Sequence, residues 1–322
     1  MRPTRRRSPD GLPDRRAPAS VREVTFSIVA QDGDSFGVAV ASKFPFVGAV
    51  VPDARLGLGA VATQAMARVS YRDTALEALS AGSDAAAAIE ACTSPDDERD
   101  HRQLGVVGRD SQATWTGPSC LPWAGGVSGR DESGAYAIQG NILVGPEVVE
   151  AMERAWLASA GRPFTDRLVA ALLAGDDAGG DSRGRQGAAL YAVRPGAGYD
   201  QYGLLADVRV DDHPDAPREL ARLVGLNDLL FGSPEDVQPL EGALADEVLA
   251  RLESIGFSGS SAAEALAAWA SEENYETRLS PDGIDAKVLG ALRAETDEDR
   301  LEGFGDDEHA EDEAEDHLDE EE

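Results

Sequence analysis

Lysine is almost absent from this sequence of 322 residues, which contains only Lys43 and Lys287 against 27 arginines. Cysteine and histidine are also scarce, at two and four residues. The two cysteines can form at most one bridge, which excludes a disulfide framework and a four-cysteine metal site. No two histidines have the spacing of zinc ligands on a helix. We therefore expect no metal, and nothing in the sequence implies an organic cofactor.

The sequence also lacks a long apolar run. Nowhere does it approach the roughly 18 consecutive apolar residues that a membrane-spanning helix requires, so nothing in it spans a membrane, and we expect no membrane partner. The Arg-rich residues 1–16 resemble the charged part of a signal peptide. The apolar part that should follow is missing, because residues 8–21 are polar and rich in proline. We therefore expect a cytoplasmic protein.

Negative charge dominates, with a formal net charge of -31. Residues 295–322 contain 17 acidic side chains and one arginine, whereas residues 1–23 contain seven arginines and three acidic residues. The acidic body between these segments repels nucleic acid, so we expect no nucleic-acid partner. An excess of carboxylate with so little lysine favours a halophilic protein, because high salt screens the repulsion.

Alternating apolar residues predict two strands at 24–30 and 36–42, joined by a turn that contains Asp-Gly. Further strands are predicted at 47–52, 58–64, 103–107, 112–116, 135–139, 188–194 and 204–210. Helical spacing predicts helices at 71–80, 84–92, 146–160, 164–174 and 216–231, with Ser83 as the N-cap of the second. Short turns dominate between the strands, so we expect an α+β fold with largely antiparallel sheets.

Composition divides the chain into four segments. Residues 1–23 are rich in proline and arginine and read as a disordered, untranslated or propeptide extension. The main domain is expected at 24–235. Three short helices at 240–255, 261–271 and 284–293 indicate a small helical module at 236–302. Residues 303–322 form an acidic tail that we expect to be disordered.

Several motifs resemble the uncharacterised family called domain of unknown function 1028. Its opening is matched by TFSIVA (25–30), GVAVASKF (37–44) and GAVVP (48–52). Its internal and closing motifs are matched by GAVATQA (59–65), DHRQLG (100–105), QGNIL (139–143), GGDSRGRQ (179–186) and VRVDDHP (208–214). The resemblance implies the four-layer αββα sandwich of N-terminal-nucleophile (Ntn) hydrolases. The helical module resembles a peptidoglycan-binding-type domain that accompanies some members.

The Ntn resemblance makes Thr25 the candidate nucleophile and its own α-amine the base. An α-amine has a pKa near 8, so much of it is neutral at working pH. The alternative is an ordinary strand threonine. The mechanism requires a free amine on Thr25, which self-cleavage after Val24 would give. It would also follow if Val24 were a start codon read as Met and then removed.

Two further residues are candidates for the reaction itself. Lys43 ends the second predicted strand, where its ammonium would lower the pKa of the nucleophile; the alternative is a solvated strand-edge lysine. Asn141 would donate a hydrogen bond to the oxyanion, or it is a turn residue.

The substrate-binding candidates are polar residues near the ends of the predicted strands and in a glycine-rich loop. They are Thr63, Gln64, His101, Asp181, Arg183 and Arg185. The loop arginines suit a substrate carboxylate. The alternative readings are solvated loop charges and, for the histidine, a structural salt bridge.

Two functions follow from these residues. The first is hydrolysis of an unknown small amide by an acyl-enzyme route on Thr25. The second is a non-catalytic ligand-binding or scaffold protein that keeps the Ntn-like fold. Ntn-type sandwiches often associate, so the resemblance also implies a homodimer.

Overall fold

The computed structural model describes residues 25–132 and 134–302. The predicted extension at 1–23, residue Val24 and the predicted acidic tail at 303–322 lie outside these ranges. Within them the chain is a mixture of helices and antiparallel sheets with a helical C-terminal region, as the sequence predicts.

The larger of two sheets has six strands in the order β10-β9-β2-β1-β8-β7. Its strands are β1 (Thr25–Asp32), β2 (Ser35–Ser42), β7 (Gly125–Asp131), β8 (Gly134–Asn141), β9 (Gly187–Val193) and β10 (Leu204–Val210). The β1–β2 hairpin turns at Gly33, whose positive φ of 56° suits the residue that the Asp-Gly turn supplies. Strand β1 lies between β2 and β8, so its first residue has a neighbouring strand on each side.

The smaller sheet has the order β3-β4-β5-β6. Its strands are β3 (Pro52–Arg55), β4 (Gly59–Ala65), β5 (Arg102–Gly108) and β6 (Gln112–Thr116). The two sheets pack face to face, with β1 and β2 against β4, and β8 against β5. Small apolar side chains such as Val38, Val40, Ala60 and Ala62 fill one end of the interface.

Helices cover the outer face of each sheet. On the smaller sheet, α2 (Tyr71–Ser80) and α3 (Ala85–Thr93) bury an apolar stripe against β4 and β5. On the larger sheet lie α4 (Glu147–Ala158) and α5 (Phe164–Asp177). Between these helices the guanidinium of Arg167 stacks 3.7 Å from the ring centre of Trp156.

The C-terminal region is helical. After α6 (Ala216–Phe231) come α7 (Gly242–Ser254), α8 (Ala262–Glu272) and α9 (Ala286–Glu302). Helices α7 to α9 bury Val248, Leu252, Trp269 and Leu292 in a core of their own. No helix within the described ranges is long and apolar enough to span a membrane.

Contacts divide the chain into two compact units. One includes the described part of Met1–Arg194 together with Arg209–Leu220, and the other includes Pro195–Val208 and the described part of Ala221–Glu322. The division therefore falls inside β10 and α6. The sequence-based boundary after residue 235 stays a prediction.

The structure corrects three local predictions. Residues 47–50 form a short helix, α1 (Val47–Val50), where a strand was predicted, because packing overrides the strand preference of valine. A Cβ on Gly48 would lie 2.6 Å from the Cβ of Ala189, so the segment packs closely on β9. Strand β7 was not predicted, since it is rich in glycine and forms through pairing with β8. Asp84, and not Ser83, caps α3 by accepting from the Ala87 amide at 2.8 Å.

A buried arginine organises the C-terminal helices. Arg278 is fully buried and binds Asp228 at 2.8 Å and the equally buried Asp285 at 3.1 Å. Its Nε also donates to the carbonyl of Leu229 at 3.0 Å. A buried ion pair is stable only when its remaining hydrogen-bonding groups are also satisfied, and these contacts do so.

Replacing Arg278 by alanine should destabilise this region by about 3–5 kcal/mol, because it leaves the Asp285 carboxylate buried without its cation. The matched control is Arg293→Ala, which removes a solvent-exposed pair with Glu247 and should cost far less. Native-state hydrogen exchange of the α7–α9 amides, read by mass spectrometry, measures both. Equal protection in the two variants would contradict the assigned role of Arg278.

Candidate functional site

Thr25 opens β1 and pairs with Ser42 on β2 and Asn141 on β8. Its side chain is buried, and its hydroxyl donates to the Ser42 hydroxyl at 3.2 Å. Sequence reasoning missed Ser42. The signal was present, because counting back along a hairpin from its Asp-Gly turn places residue 42 opposite residue 25.

Two side-chain amides converge on the carbonyl oxygen of Thr25. Gln64 on β4 donates from Nε2 at 3.2 Å, and Asn141 on β8 donates from Nδ2 at 3.4 Å. Both side chains are at most 1% exposed. The structure thus brings together three residues that the sequence singled out separately. Asn141 lies at the end of a strand and not in a turn.

A chain of buried polar side chains continues from these amides across the sheet interface. Gln103 accepts at Oε1 from Gln64 at 2.8 Å and from Asn141 at 3.1 Å. Ser27 donates to Gln64 Oε1 at 2.6 Å and accepts from Gln139 Nε2 at 2.6 Å. We call these five residues the amide network. Buried amides without partners would be costly, and this pairing satisfies the amide groups of the network except Gln139 Oε1, which has no hydrogen-bond partner among the described residues.

Sequence reasoning missed Gln103, Gln139 and Ser27. Each lies in a predicted strand, and period-2 alternation does place Gln103 and Gly105 on one face of β5. A polar side chain on a strand face ordinarily indicates a solvent-exposed face. Only the packing of the second sheet reveals that this face is buried.

A cavity of about 380 Å³ lies beside Ser42. Phe26, Ala41 and Ser42 of the first hairpin line one side, and Gly179, Gly184 and Gly187 of the glycine-rich segment line another. Charged groups on its wall include Asp176, Asp181 and Arg185. The cavity therefore combines a hydroxyl in contact with Thr25, small residues and paired charges.

The charges of this wall are held in ion pairs. Arg185 Nε lies 2.7 Å from Asp176 Oδ1, and this bond raises the pKa of the guanidinium. Asp181 accepts from the Lys43 amide at 2.6 Å and pairs with Arg183 at 3.2 Å. Burial raises the pKa of the Asp181 carboxyl, and these donors partly offset that effect. A substrate carboxylate would therefore have to compete with Asp176 and Asp181 for the two arginines.

Three other candidates lie apart from the Thr25 cluster. The ammonium of Lys43 is exposed and donates to the Arg185 carbonyl at 3.1 Å, while Ser42 contacts the Thr25 hydroxyl. Thr63 alternates with Gln64 and faces the opposite side of β4, where it reaches the Arg68 carbonyl at 3.4 Å. His101 is exposed in a 3₁₀ turn. Among the described residues, no group of three or more His, Cys, Asp or Glu side chains could hold a metal.

Comparison with known families gives one match over most of the folded chain. Residues 25–220 match the model described as a family of unknown function, DUF1028. The chain belongs to this family. Residues 229–292 match a second model, described as a "Putative peptidoglycan binding domain". The family resemblance that the motifs indicate is therefore confirmed for both segments.

The fold also resembles a crystal structure of a DUF1028 protein from Silicibacter pomeroyi. The two share 30% identity with a TM-score of 0.57, over 64% of this chain and 86% of the other. No match is found among curated proteins. These comparisons establish a family and a shared fold, and neither names a reaction.

Replacing Gly105 by alanine should destabilise the sheet interface by about 1–3 kcal/mol. The new Cβ would lie 2.2 Å from Gln139 Oε1 and would push that amide off Ser27. The control is Gly108→Ala on the same strand, whose nearest contact is the flexible Leu79 Cδ2 at 3.1 Å, so that variant should cost less. Urea unfolding measures both free energies. Wild-type stability of Gly105→Ala would show that the amide of Gln139 is free to move.

Proposed function

We propose that residues 25–220 form an Ntn-type amide hydrolase, in which Thr25 is the nucleophile of a mature chain that begins at this residue. The supporting observation is the convergence of Gln64 and Asn141 on Thr25, beside a cavity lined by Ser42. The succession of helices, sheet, sheet and helices supports the proposal of an αββα sandwich like that of Ntn hydrolases. We include that fold assignment in the proposal.

The proposed reaction uses groups of the first residue. The Thr25 hydroxyl oxygen attacks the amide carbonyl carbon while the Thr25 amine accepts the hydroxyl proton. The amine then returns the proton to the leaving nitrogen as the carbon–nitrogen bond breaks, which leaves an ester on Thr25. Water, deprotonated by the same amine, hydrolyses the ester and regenerates the hydroxyl. The amine suits both steps because its reference pKa lies near 8.

Neighbouring residues have distinct roles in this proposal. Ser42, which lines the cavity, accepts from the Thr25 hydroxyl at 3.2 Å and so connects the buried nucleophile with the cavity. The Asn141 N–H that donates to the Thr25 carbonyl oxygen at the long distance of 3.4 Å would turn to the developing oxyanion, where a fixed donor is most effective. Lys43 contributes a positive charge beside the wall residue Arg185, to whose carbonyl its ammonium donates at 3.1 Å.

The cavity favours a small polar substrate. Its volume of about 380 Å³ falls in the lower part of the usual range for small-molecule sites. Carboxylates and a guanidinium on its wall favour a molecule with hydrogen-bonding groups of both kinds. We therefore propose a small polar amide and not a protein chain.

The second candidate is a ligand-binding or scaffold protein without turnover. In the full sequence Val24 precedes Thr25, so the Thr25 nitrogen belongs to a peptide bond and cannot act as a base. The second family match at 229–292 favours a cell-wall polymer as the ligand of the C-terminal helices. A polymer of that kind is reached outside the cytoplasm, so this candidate opposes the expected cytoplasmic location.

The test begins with intact mass and N-terminal sequencing of protein purified from its native source. If the chain begins at Thr25, a hydroxyl-directed acylating probe such as a β-lactone should add one equivalent of mass. Thr25→Ser should keep this labelling because it keeps a hydroxyl, and Thr25→Ala should lose it. Thr74→Ala, in the helical layer on the smaller sheet, is the control and should label like the wild type.

The outcomes separate the two candidates. Labelling of Thr25→Ala at the wild-type rate would place the reactive hydroxyl elsewhere and overturn the assignment of Thr25. A mature chain that retains Met1 would lack the base and would favour the ligand-binding candidate.

A further inference from the structure

We propose that Gln103 is a positioning residue that fixes which way the side-chain amides of Gln64 and Asn141 face, and thereby aims two N–H groups at Thr25. This inference rests on the proposed function only for the use made of those N–H groups. The orientation itself follows from the chemistry of the hydrogen-bond partners.

The end of the Gln103 side chain that lies away from Thr25 faces three oxygen atoms. Its terminal nitrogen lies 2.8 Å from the Gly140 carbonyl oxygen, 3.2 Å from the Gly125 carbonyl oxygen and 2.9 Å from Thr116 Oγ1. A backbone carbonyl can only accept a hydrogen bond. This end of the side chain must therefore be the NH₂ group, and a flipped amide would place oxygen against two oxygens.

The oxygen end of Gln103 must then face Gln64 and Asn141. An amide oxygen only accepts, so both partners must present nitrogen to it, at 2.8 Å and 3.1 Å. Each of those NH₂ groups has a second hydrogen. From Asn141 it is directed to the Thr25 carbonyl oxygen at 3.4 Å, and from Gln64 it is shared between the carbonyl oxygens of Thr25 at 3.2 Å and Gln139 at 3.3 Å. The carbonyls that orient Gln103 and those that Gln64 and Asn141 reach therefore select the same orientation of both amides.

The hydrogen bonds in the rest of the amide network run in the same direction from donor to acceptor. Gln64 presents its oxygen to the Ser27 hydroxyl, and that hydroxyl accepts from Gln139 Nε2. Donors therefore run from Gln139 through Ser27 and Gln64 to Gln103 without a reversal. In a buried site of low dielectric, hydrogen bonds aligned in one sense polarise and strengthen one another.

Fixed orientation matters because the two ends of an amide have opposite polarity. An Asn141 side chain free to rotate would place its oxygen toward a developing oxyanion half of the time and oppose the reaction. A donor held in place beforehand stabilises the transition state without reorganisation. Gln103 acts through Gln64 and Asn141, so it is a positioning residue.

Three variants of the full chain test the inference. Gln103→Met keeps the length of the side chain and removes both hydrogen-bonding groups. Gln103→Glu places a carboxyl among partners that are all neutral, namely Gln64, Asn141, Thr116 and two carbonyls. Thr116→Val is the control, because it removes one acceptor of Gln103 and leaves the two carbonyls that fix its direction.

The primary readout is hydrogen exchange of the Asn141 side-chain NH₂ by NMR, as a ratio to wild type at the same pH. Gln103→Met should exchange at least about tenfold faster at every pH, because Asn141 loses its acceptor. Burial raises the pKa of the carboxyl introduced by Gln103→Glu, so near pH 5 it is protonated and can donate to a carbonyl while accepting from both amides. That variant should match wild type at about pH 5. At about pH 9 the ionised carboxylate can no longer donate to the Gly140 and Gly125 carbonyl oxygens and is repelled by them, so it should leave its place and Asn141 should lose protection.

A second readout distinguishes positioning from folding and from the proposed reaction. Circular dichroism at each pH reports whether the variants remain folded. If the mature chain labels at Thr25, the labelling rate of Gln103→Glu relative to wild type should fall at least about tenfold between the same two pH values. The relative rate of Gln103→Met should stay uniformly low.

The opposing results are equally specific. A folded Gln103→Met whose Asn141 amide keeps wild-type protection would overturn the positioning role. So would a Gln103→Glu whose exchange ratio does not change with pH. If Thr25 never labels while the exchange ratios behave as expected, the proposed hydrolase is wrong and the orienting role of Gln103 stands.

Discussion

Pairing of buried amides is the constraint on which this interface depends. The facing sheets bury Gln64, Gln103, Gln139 and Asn141, and each would cost several kcal/mol if left without a partner. Each amide finds its hydrogen-bond partner only if the next amide has a particular orientation. The amide network therefore fixes the register of β4 and β5 against β1 and β8. An apolar interface would tolerate small shifts of one sheet against the other, whereas an interface of oriented hydrogen bonds does not. Glycine at residue 105 serves the same pairing, since the Gln139 side chain occupies the space that a Cβ would fill.

The site inherits its geometry from that interface. Thr25 is the end residue of a central strand, so Ser42 and Asn141 reach it from neighbouring strands and Gln64 reaches it from the other sheet. The cavity beyond Ser42 is bounded by a glycine-rich segment whose charges are paired internally. A rigid network on one side and a polar cavity on the other suit a group that must be held still beside a bound molecule.

The sequence predicted most elements because their patterns are local. The helices at 71–80 and 216–231 and the strand at 112–116 have the predicted bounds. The predictions were wrong where packing between elements decides the local structure. Valine at 47 and 50 indicated a strand, yet contact of Gly48 with β9 bends that segment into α1. Strand β7 has almost no apolar residues and exists because β8 offers it backbone partners.

Among the candidate site residues, the sequence by itself determined the strand that Thr25 opens and, through the Asp-Gly turn, contained its register with Ser42. The family resemblance made Thr25 the candidate nucleophile, and Asn141 and Gln64 were separate candidates. Only the tertiary structure decided that these meet, that Gln103 joins them, and that Thr63 and His101 do not. The physical reason is that the alternation of side chains along a strand indicates which of them share a face. It does not state which sheet will cover that face, or whether a glutamine there will meet water or another amide.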